Sequence, residues 1–239
     1  MYNFFFGTPE KISEDEQTYL LAIKRMLPRW ANSLTDSSYT ALMHLMENEV
    51  TTDQPVVVET GIGASTILFV HYAMKNNGRV LSWDLNSSKG SFVRQVLSET
   101  LEQYHGKAVS NHWTFVSSDS LCPYLGLPIV GELTERIDLT SHDSNHTWEV
   151  VSGEIESVAP HLSDPAIICV DDAHQTYLHT YEPIINVGRR KLGLEPIAPI
   201  AGNNHEPLFK AVPQYLQGKF DSVEQLNEPF QHALKDDLY

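Results

Sequence analysis

Cysteine is scarce in this sequence, and its scarcity excludes a fold held together by disulfides. The 239 residues contain two cysteines, Cys122 and Cys169. Two are too few for a disulfide framework, and Cys169 lies inside an apolar run that is typical of a protein core. We therefore expect a protein of a reducing compartment, the cytoplasm.

Basic residues are few as well. Sixteen Lys and Arg residues against 31 Asp and Glu residues give a formal net charge of −15. Because a phosphate backbone attracts positive charge, this composition argues against a nucleic-acid partner. The acidity would suit a cationic ligand, and it would equally serve solubility.

Long hydrophobic runs are absent. No apolar run approaches the ~20 residues of a membrane-spanning helix, so we expect no membrane association. The apolar start, residues 1–7, has no basic flank and is followed by Pro9 and acidic residues. We therefore expect no signal peptide. The length fits one α/β domain with room for a helical cap.

The most informative stretch of the sequence is residues 55–66, PVVVETGIGAST. Its β-branched run at 56–58 predicts a buried parallel strand. Two glycines follow, and an apolar helical run begins at 67–70. A strand, a glycine turn and a helix in this order form the first unit of a doubly wound α/β fold, which binds ligands outside the carboxyl ends of its strands.

The glycine turn leaves two interpretations open. Gly61 and Gly63 could let the backbone approach a nucleotide-type ligand, or they could serve the geometry of the turn alone. The dinucleotide-binding fingerprint requires a third glycine, which residues 64–66 do not supply. Glu59, at the end of the strand, could attract a cation or accept hydrogen bonds from hydroxyl groups.

Acidic residues follow the next two predicted strands. The strand at 79–83 leads to Asp84, which lies about 20 residues after the glycine turn, the usual distance of a residue that binds ribose hydroxyls. Asp84 could instead cap a helix that begins near Ser88. The strand at 113–116 leads to Asp119, a residue that also suits a simple turn.

Three more carboxylates follow the fourth and fifth predicted strands, 136–140 and 165–170. They are Asp143 and the pair Asp171 and Asp172. Because neighbouring parallel strands end at the same sheet edge, we expect these carboxylates to converge. Their mutual repulsion requires protonation or a bound cation, and Mg²⁺ suits such oxygen ligands. The alternative is that the pair caps the next helix.

Histidines crowd the same region. His146 and His174 each follow an aspartate by three residues, and His142 and His179 lie nearby. A histidine beside a carboxylate can act as a general base near neutral pH. The alternative for each is a surface or capping histidine. We place His146 first and His174 second as the base.

The ends of the chain complete the predicted organisation. Helical periodicity at 14–26 and 38–50 predicts an N-terminal helical cap over residues 1–52, which could pack on the sheet, cover a substrate or mediate dimerisation. A ligand-binding domain over 53–215 and a C-terminal tail over 216–239 follow. Two further strands are predicted at the end of that domain, one over 194–200 and one over 207–212.

The predicted fold class is therefore α/β. We expect a doubly wound, mostly parallel, seven-stranded Rossmann-like sheet with helices on both faces and an N-terminal helical extension.

Four ordered motifs resemble one branch of the class I S-adenosylmethionine (SAM) methyltransferases. They are Glu59–Thr66, Trp83–Asp84, Asp143–Thr147 and Val170–Asp172. This branch includes macrocin-type sugar O-methyltransferases and proteins known as cephalosporin hydroxylases, and the similarity covers residues 53–192. The Asp-x-x-His and Asp-Asp motifs are more specific than the glycine motif.

The resemblance implies a SAM site and a magnesium site side by side. The methionine part of SAM would be bound by Glu59, Gly61, Gly63 and Ser65, the ribose by Asp84, and the adenine would lie near Asp119. Asp143, Asp171 and Asp172 would hold Mg²⁺, which lowers the pKa of a substrate hydroxyl.

The sequence departs from the branch at one position. Sugar methyltransferases of this kind can carry an acidic base two residues after the first metal aspartate, where this chain has Asn145. His146 replaces it by proximity, so Asp143, His146 and His174 are the predicted catalytic residues.

The resemblance favours metal-assisted O-methylation of a small hydroxylated molecule, such as a sugar or natural product. The N-terminal helices could form a homo-oligomer contact. A nicotinamide-dependent oxidoreductase is one alternative, disfavoured by the missing third glycine. A non-catalytic protein with the same fold is the other.

Overall fold

A computed structural model describes residues 15–171 and 190–195. Five parallel strands form one sheet there, in the order β3-β2-β1-β4-β5. They are β1 (Val56–Thr60), β2 (Arg79–Asp84), β3 (Trp113–Ser117), β4 (Ile137–His142) and β5 (Leu162–Val170). The strand order reverses between β1 and β4, and a doubly wound sheet binds its ligand at such a reversal.

Helices precede and connect the strands. They are α1 (Glu16–Met26), α2 (Asp36–Asn48), α3 (Ala64–Lys75), α4 (Ser87–Leu97), α5 (Val130–Leu133) and α6 (Trp148–Val158). A π-helical segment, Ser98–Glu102, and one helical turn, Gln103–His105, extend α4. The predicted parallel α/β Rossmann-like fold with an N-terminal helical extension is confirmed.

Both faces of the sheet are covered, as a parallel sheet requires. All five residues of β1 are buried. Val57 belongs to the larger apolar cluster and Val58 to the smaller one, because successive side chains of a strand point to opposite faces. The larger cluster contains α3 and the N-terminal helices, and the smaller one contains α5 and the end of α6.

The N-terminal helices pack on the sheet domain. Tyr19 and Ile23 of α1 and Tyr39 and Met43 of α2 are buried in the same cluster as Phe69 of α3. Of the three roles considered for these helices, packing is the one whose contacts the structure contains. A role in dimerisation stays a prediction.

The predicted number of strands needs correction. The sequence predicts seven, and the described residues form five. The predicted strands over 194–200 and 207–212 fall almost entirely outside the described residues, and the two described positions, 194 and 195, belong to no strand. Within 15–171 and 190–195, no helix combines the length and apolar composition that crossing a membrane requires.

Candidate active site

The register of the sheet brings the two acidic strand ends together. Thr60 of β1 is paired with His142 of β4, and His142 is paired with Val170 of β5. Asp143 and Asp171 are therefore the next residues after two paired positions. The main chain confirms this juxtaposition, since the Asp171 amide donates to the His142 carbonyl at 3.0 Å. The predicted convergence of these two residues is confirmed.

Asp143, His146 and Asp171 form a group with the geometry of a cation site. One ligand atom from each side chain lies within 4.8 Å of the others, and His146 Nε2 is 3.0 Å from Asp143 Oδ1. Asp143 and Asp171 are half-buried and His146 is exposed. Of the other predicted residues here, Asp172 and His174 lie outside the described part of the chain.

The first glycine of the turn has two physical reasons to be glycine. Gly61 has a φ of +78°, in the left-handed region that side chains disfavour. A Cβ at this position would stand 1.9 Å from the carbonyl oxygen of Asp143. Gly61 thus lets the glycine loop lie directly against the loop that carries Asp143 and His146.

Gly63 has a different environment. Its backbone is extended, with a φ of 171°, and its N–H donates to Thr66 Oγ1 at 2.9 Å. A Cβ there would stand 3.1 Å from the carbonyl oxygen of Ala31. The segment between α1 and α2 therefore lies against the glycine loop, which sequence reasoning did not predict.

Glu59 is fully buried and bound by three hydroxyl groups. Its carboxylate accepts from Ser65 Oγ at 2.6 Å, Thr66 Oγ1 at 2.8 Å and Ser82 Oγ at 3.0 Å. Burial raises the pKa of Glu59 to about 7, against the opposing effect of the three hydroxyls. The predicted contacts of Glu59 and Ser65 with methionine stay predictions. In the structure these two side chains bind each other and hold the start of α3 to the sheet.

Asp84 is the acidic residue that lies nearest to the glycine loop on the β2 side. Its Oδ2 accepts from the Ile62 amide and from Lys89 Nζ, each at 3.2 Å, and its side chain is 13 % exposed. The alternative role of an N-cap is wrong, because Asn86 caps α4 by accepting from the Lys89 amide at 3.0 Å. Asp84 remains a partly accessible carboxylate beside the glycine loop.

Asp119 follows β3 and is exposed. Its Oδ1 accepts from the Leu121 amide at 2.9 Å, which is the hydrogen bond of a turn-forming aspartate. The turn is therefore present, and the predicted proximity to adenine stays a prediction.

A buried pair behind Asp143 escaped sequence reasoning. His142 Nδ1 lies 2.9 Å from Glu154 Oε2, and both side chains are completely buried. Burial alone would raise the pKa of Glu154, but hydrogen bonding and charge from His142 outweigh it, so this pKa lies below its usual value. Glu154 shares a helix face with Val151, Ile155 and Val158, so helical spacing is a signal that could have placed it in the core, but not its partner.

Comparison with protein families indicates the class of protein that contains this site. Residues 58–173 match the model of the Methyltransf_24 family, described as a methyltransferase domain. This segment runs from β1 past the end of β5 and contains the glycine loop, Asp84 and the Asp143 loop. The segment is thus similar to a methyltransferase domain, which agrees with the predicted class and the predicted enzymatic activity.

Comparison with solved structures supports the fold. Cofactor-bound Rv0187 from MTB is 18% identical, with a TM-score of 0.50 over 93% of this chain and 84% of that one. CalS11, described as a TDP-rhamnose 3'-O-methyltransferase of calicheamicin biosynthesis, is 18% identical, with a TM-score of 0.49 over 82% and 92%. TomG, an O-methyltransferase from Streptomyces achromogenes in complex with SAM, is 17% identical, with a TM-score of 0.49 over 86% and 78%.

At these identities the likeness concerns the fold alone, and of these three only Rv0187 reaches a TM-score of 0.5. No curated protein sequence matches the chain.

Proposed function

We propose that this protein transfers the methyl group of SAM to a hydroxyl oxygen of a small molecule, such as a sugar or natural product, with the help of a divalent cation. One observation carries the proposal: Gly61, at the glycine loop, is in contact with Asp143, whose side chain forms a cation-type group with His146 and Asp171. A methyl donor and a metal-bound hydroxyl would therefore meet in one cleft.

The residues of the cleft fit SAM. Gly61 and Gly63 form the turn after β1, and Asp84 presents a partly exposed carboxylate beside the same loop. Ribose hydroxyls donate to such a carboxylate. We assign the ribose to Asp84, the methionine part to Gly61, Gly63, Ser65 and Glu59, and the adenine edge to Asp119. SAM supplies a sulfonium methyl group, and the protein aligns the acceptor oxygen with it.

The acidic group fits a divalent cation. Asp143 and Asp171 offer oxygen ligands, and Asp172, the next residue in the chain, would add a third. Mg²⁺ prefers such oxygen ligands, whereas a site that included the His146 imidazole would favour Mn²⁺ or a later metal. A bound cation lowers the pKa of a coordinated hydroxyl.

His146 is the group that we assign as general base. It is exposed to the cleft and is held by Asp143 at 3.0 Å, which orients the ring and stabilises the imidazolium formed when a proton is taken up. His174 is the second candidate for this role. If His146 binds the cation instead, His174 takes the proton.

We also propose boundaries for the parts of the chain. A cap over residues 1–52 would pack through α1 and α2 on the domain of 53–215, and a tail would follow over 216–239. The N-terminal helices could carry a homo-oligomer contact, since Met26 and Trp30 expose large apolar side chains at 48% and 57%.

Binding measurements test the proposal without knowledge of the acceptor. We expect calorimetry to show binding of S-adenosylhomocysteine and none of NAD, and electron paramagnetic resonance to show bound Mn²⁺. Asp171→Ala should weaken Mn²⁺ binding by more than about tenfold and change the affinity for S-adenosylhomocysteine by less than about threefold. Asp164→Ala, an exposed aspartate near the opposite end of β5, is the matched control.

Turnover completes the test. With labelled SAM and a panel of sugars and phenols as acceptors, EDTA should abolish methyl transfer and Mg²⁺ should restore it. Full activity after EDTA treatment would show that the metal part is wrong. Binding of NAD in place of S-adenosylhomocysteine would favour the oxidoreductase, and binding of neither would favour the non-catalytic protein.

A further inference from the structure

Glu154, fully buried on α6, binds two other segments of the chain, the end of β1 and the end of β4 with the loop that follows it. Its Oε2 accepts from Thr60 Oγ1 at 2.8 Å and lies 2.9 Å from His142 Nδ1. Its Oε1 accepts from Ser144 Oγ at 2.5 Å. An ionised carboxylate only accepts hydrogen bonds. Nδ1 of His142 is therefore the protonated ring nitrogen, and its N–H donates to Glu154 Oε2.

These partners surround Asp143 in sequence and in space. His142 and Ser144 are the residues immediately before and after Asp143, and the side chains of both end on the same carboxylate. Thr60 contributes twice, since its hydroxyl binds Glu154 and its carbonyl accepts from the Asp143 amide at 2.9 Å. The loop that carries Asp143 is therefore held on both sides and along its backbone.

The same network reaches the second aspartate. The carbonyl of His142 accepts from the Asp171 amide at 3.0 Å, so a change in the backbone at His142 would move both aspartates. Thr60 also precedes Gly61, which contacts the Asp143 carbonyl. One buried carboxylate thus connects Thr60, which precedes the glycine loop, with the two neighbours of Asp143.

The energetics of a buried pair favour a role in orientation. Taking the Glu154 carboxylate out of water is costly, and its hydrogen bonds roughly return that cost, so the pair contributes little net stability. The effect of these hydrogen bonds on the orientation of the side chains has no such opposing term. Four contacts at 2.5–2.9 Å define where each donor must point.

We propose that Glu154 is a positioning residue for the acidic group, acting through His142, Thr60 and Ser144 without touching the substrate or the cofactor. The inference rests on the proposed function in that it takes Asp143 and Asp171 as cation ligands. An amide at position 154 would have the same shape but would present a donor at one of two positions where the carboxylate accepts. If the amide nitrogen faces Ser144, whose hydroxyl can also accept, the contacts with Thr60 and His142 remain but lose the negative charge. If it faces Thr60 and His142, the His142 ring must turn away.

Glu154→Gln is the test variant, and Asp138→Asn is the matched control. Asp138 is a buried carboxylate on the same strand as His142 but at the opposite edge of the sheet, where it accepts from the Val56 amide at 2.8 Å. Both variants replace one buried acid by its amide. A general loss of stability would therefore appear in both.

The first measurement is Mn²⁺ binding to the full chain with S-adenosylhomocysteine present, below the melting temperature of each variant. We expect Glu154→Gln to weaken Mn²⁺ binding about tenfold, because a shift of the main chain at His142 would displace Asp143 and Asp171 together, and Asp138→Asn to change it less than about twofold. Ser144→Ala, a substitution on an exposed loop, should weaken it in the same direction without lowering the melting temperature. Equal Mn²⁺ affinities in the wild type, Glu154→Gln and Ser144→Ala would overturn the proposal.

The second measurement separates this proposal from the proposed function. Amide hydrogen exchange requires neither metal nor acceptor. Glu154→Gln should raise exchange at residues 60–63 and 141–148, and Asp138→Asn should leave both segments unchanged. A wild-type protein that binds no Mn²⁺ would contradict the metal site, and the exchange pattern would still decide the role of Glu154. Unchanged exchange in both segments would exclude a positioning role.

Discussion

Gly61 lies directly against the main chain of Asp143: a Cβ at residue 61 would stand 1.9 Å from the Asp143 carbonyl oxygen. The glycine turn follows β1, and Asp143 follows β4, its hydrogen-bonded neighbour. The two loops therefore lie side by side at the carboxyl ends of β1 and β4. A cofactor on the glycine loop and a cation at Asp143 would be neighbours there, which is the basis of the reaction proposed above.

Replacement of Gly61 by alanine should harm both stability and cofactor binding. The new methyl group would meet main-chain atoms of Asp143, and the residue would keep an unfavourable φ of +78°. We expect a loss of about 2 kcal/mol or more in the free energy of unfolding and at least tenfold weaker binding of S-adenosylhomocysteine. Chemical denaturation and calorimetry measure the two effects.

Gly106→Ala is the control for Gly61→Ala. Gly106 has a similar φ of +63°, but nothing lies within 4 Å of the position of its Cβ. Its replacement should lower the free energy of unfolding by about 1 kcal/mol, the cost of the unfavourable φ alone. Cofactor affinity should stay unchanged. If both variants behave alike, contact with the Asp143 loop is not the reason for glycine at position 61.

Asp84→Asn tests the predicted ribose site. A neutral amide is a poorer acceptor for two ribose hydroxyls than a carboxylate, so we expect roughly ten- to hundredfold weaker binding of S-adenosylhomocysteine by calorimetry. The control is Asn86→Ala, which removes the N-cap of α4 two residues away and should cost about 1 kcal/mol of stability. A wild-type affinity in Asp84→Asn would remove Asp84 from the cofactor site.

The free energy of unfolding should fall as the pH rises from about 4.5 to about 7, because of the buried Glu59. Burial raises its pKa from 4.5 to about 7 in the folded state, so the folded chain holds a proton that the unfolded chain has already released. The stabilisation is complete below the unfolded pKa and is lost as the pH passes the folded pKa, to a total of about 3 kcal/mol.

Glu59→Gln should remove this pH dependence. An amide stays neutral at every pH, so the variant should be more stable than the wild type at pH 8 and close to it at pH 4. Urea denaturation at both values measures the difference. If the stability of the wild type does not fall relative to the variant between them, Glu59 is not protonated in the folded protein near neutral pH.

Residue types and spacing were sufficient to predict much of the fold and the meeting of two aspartates in the candidate site. The β-branched run before Gly61 predicts β1, and the strand-end rule for parallel sheets predicts that Asp143 and Asp171 converge. Each of these conclusions depends on local periodicity or on chain order, which the sequence carries directly.

Other features could not be predicted from residue type. The sequence does not distinguish a Glu59 that faces a ligand from one enclosed by three hydroxyls, because Ser82 lies 23 residues away on a neighbouring strand. Glu154 lies on a helix whose register relative to β4 depends on side-chain packing. Its meeting with His142 thus follows from tertiary contacts alone.

The sequence by itself therefore determined the class of protein: a parallel α/β domain with a glycine turn, an acidic residue after the second strand, and aspartates after the fourth and fifth. The tertiary structure decided which polar groups become buried and bind one another, among them Glu59 with Ser65 and Glu154 with His142. The physical reason is that burial and hydrogen bonding depend on distances between elements far apart in the chain, whereas strand order and periodicity are properties of neighbouring residues.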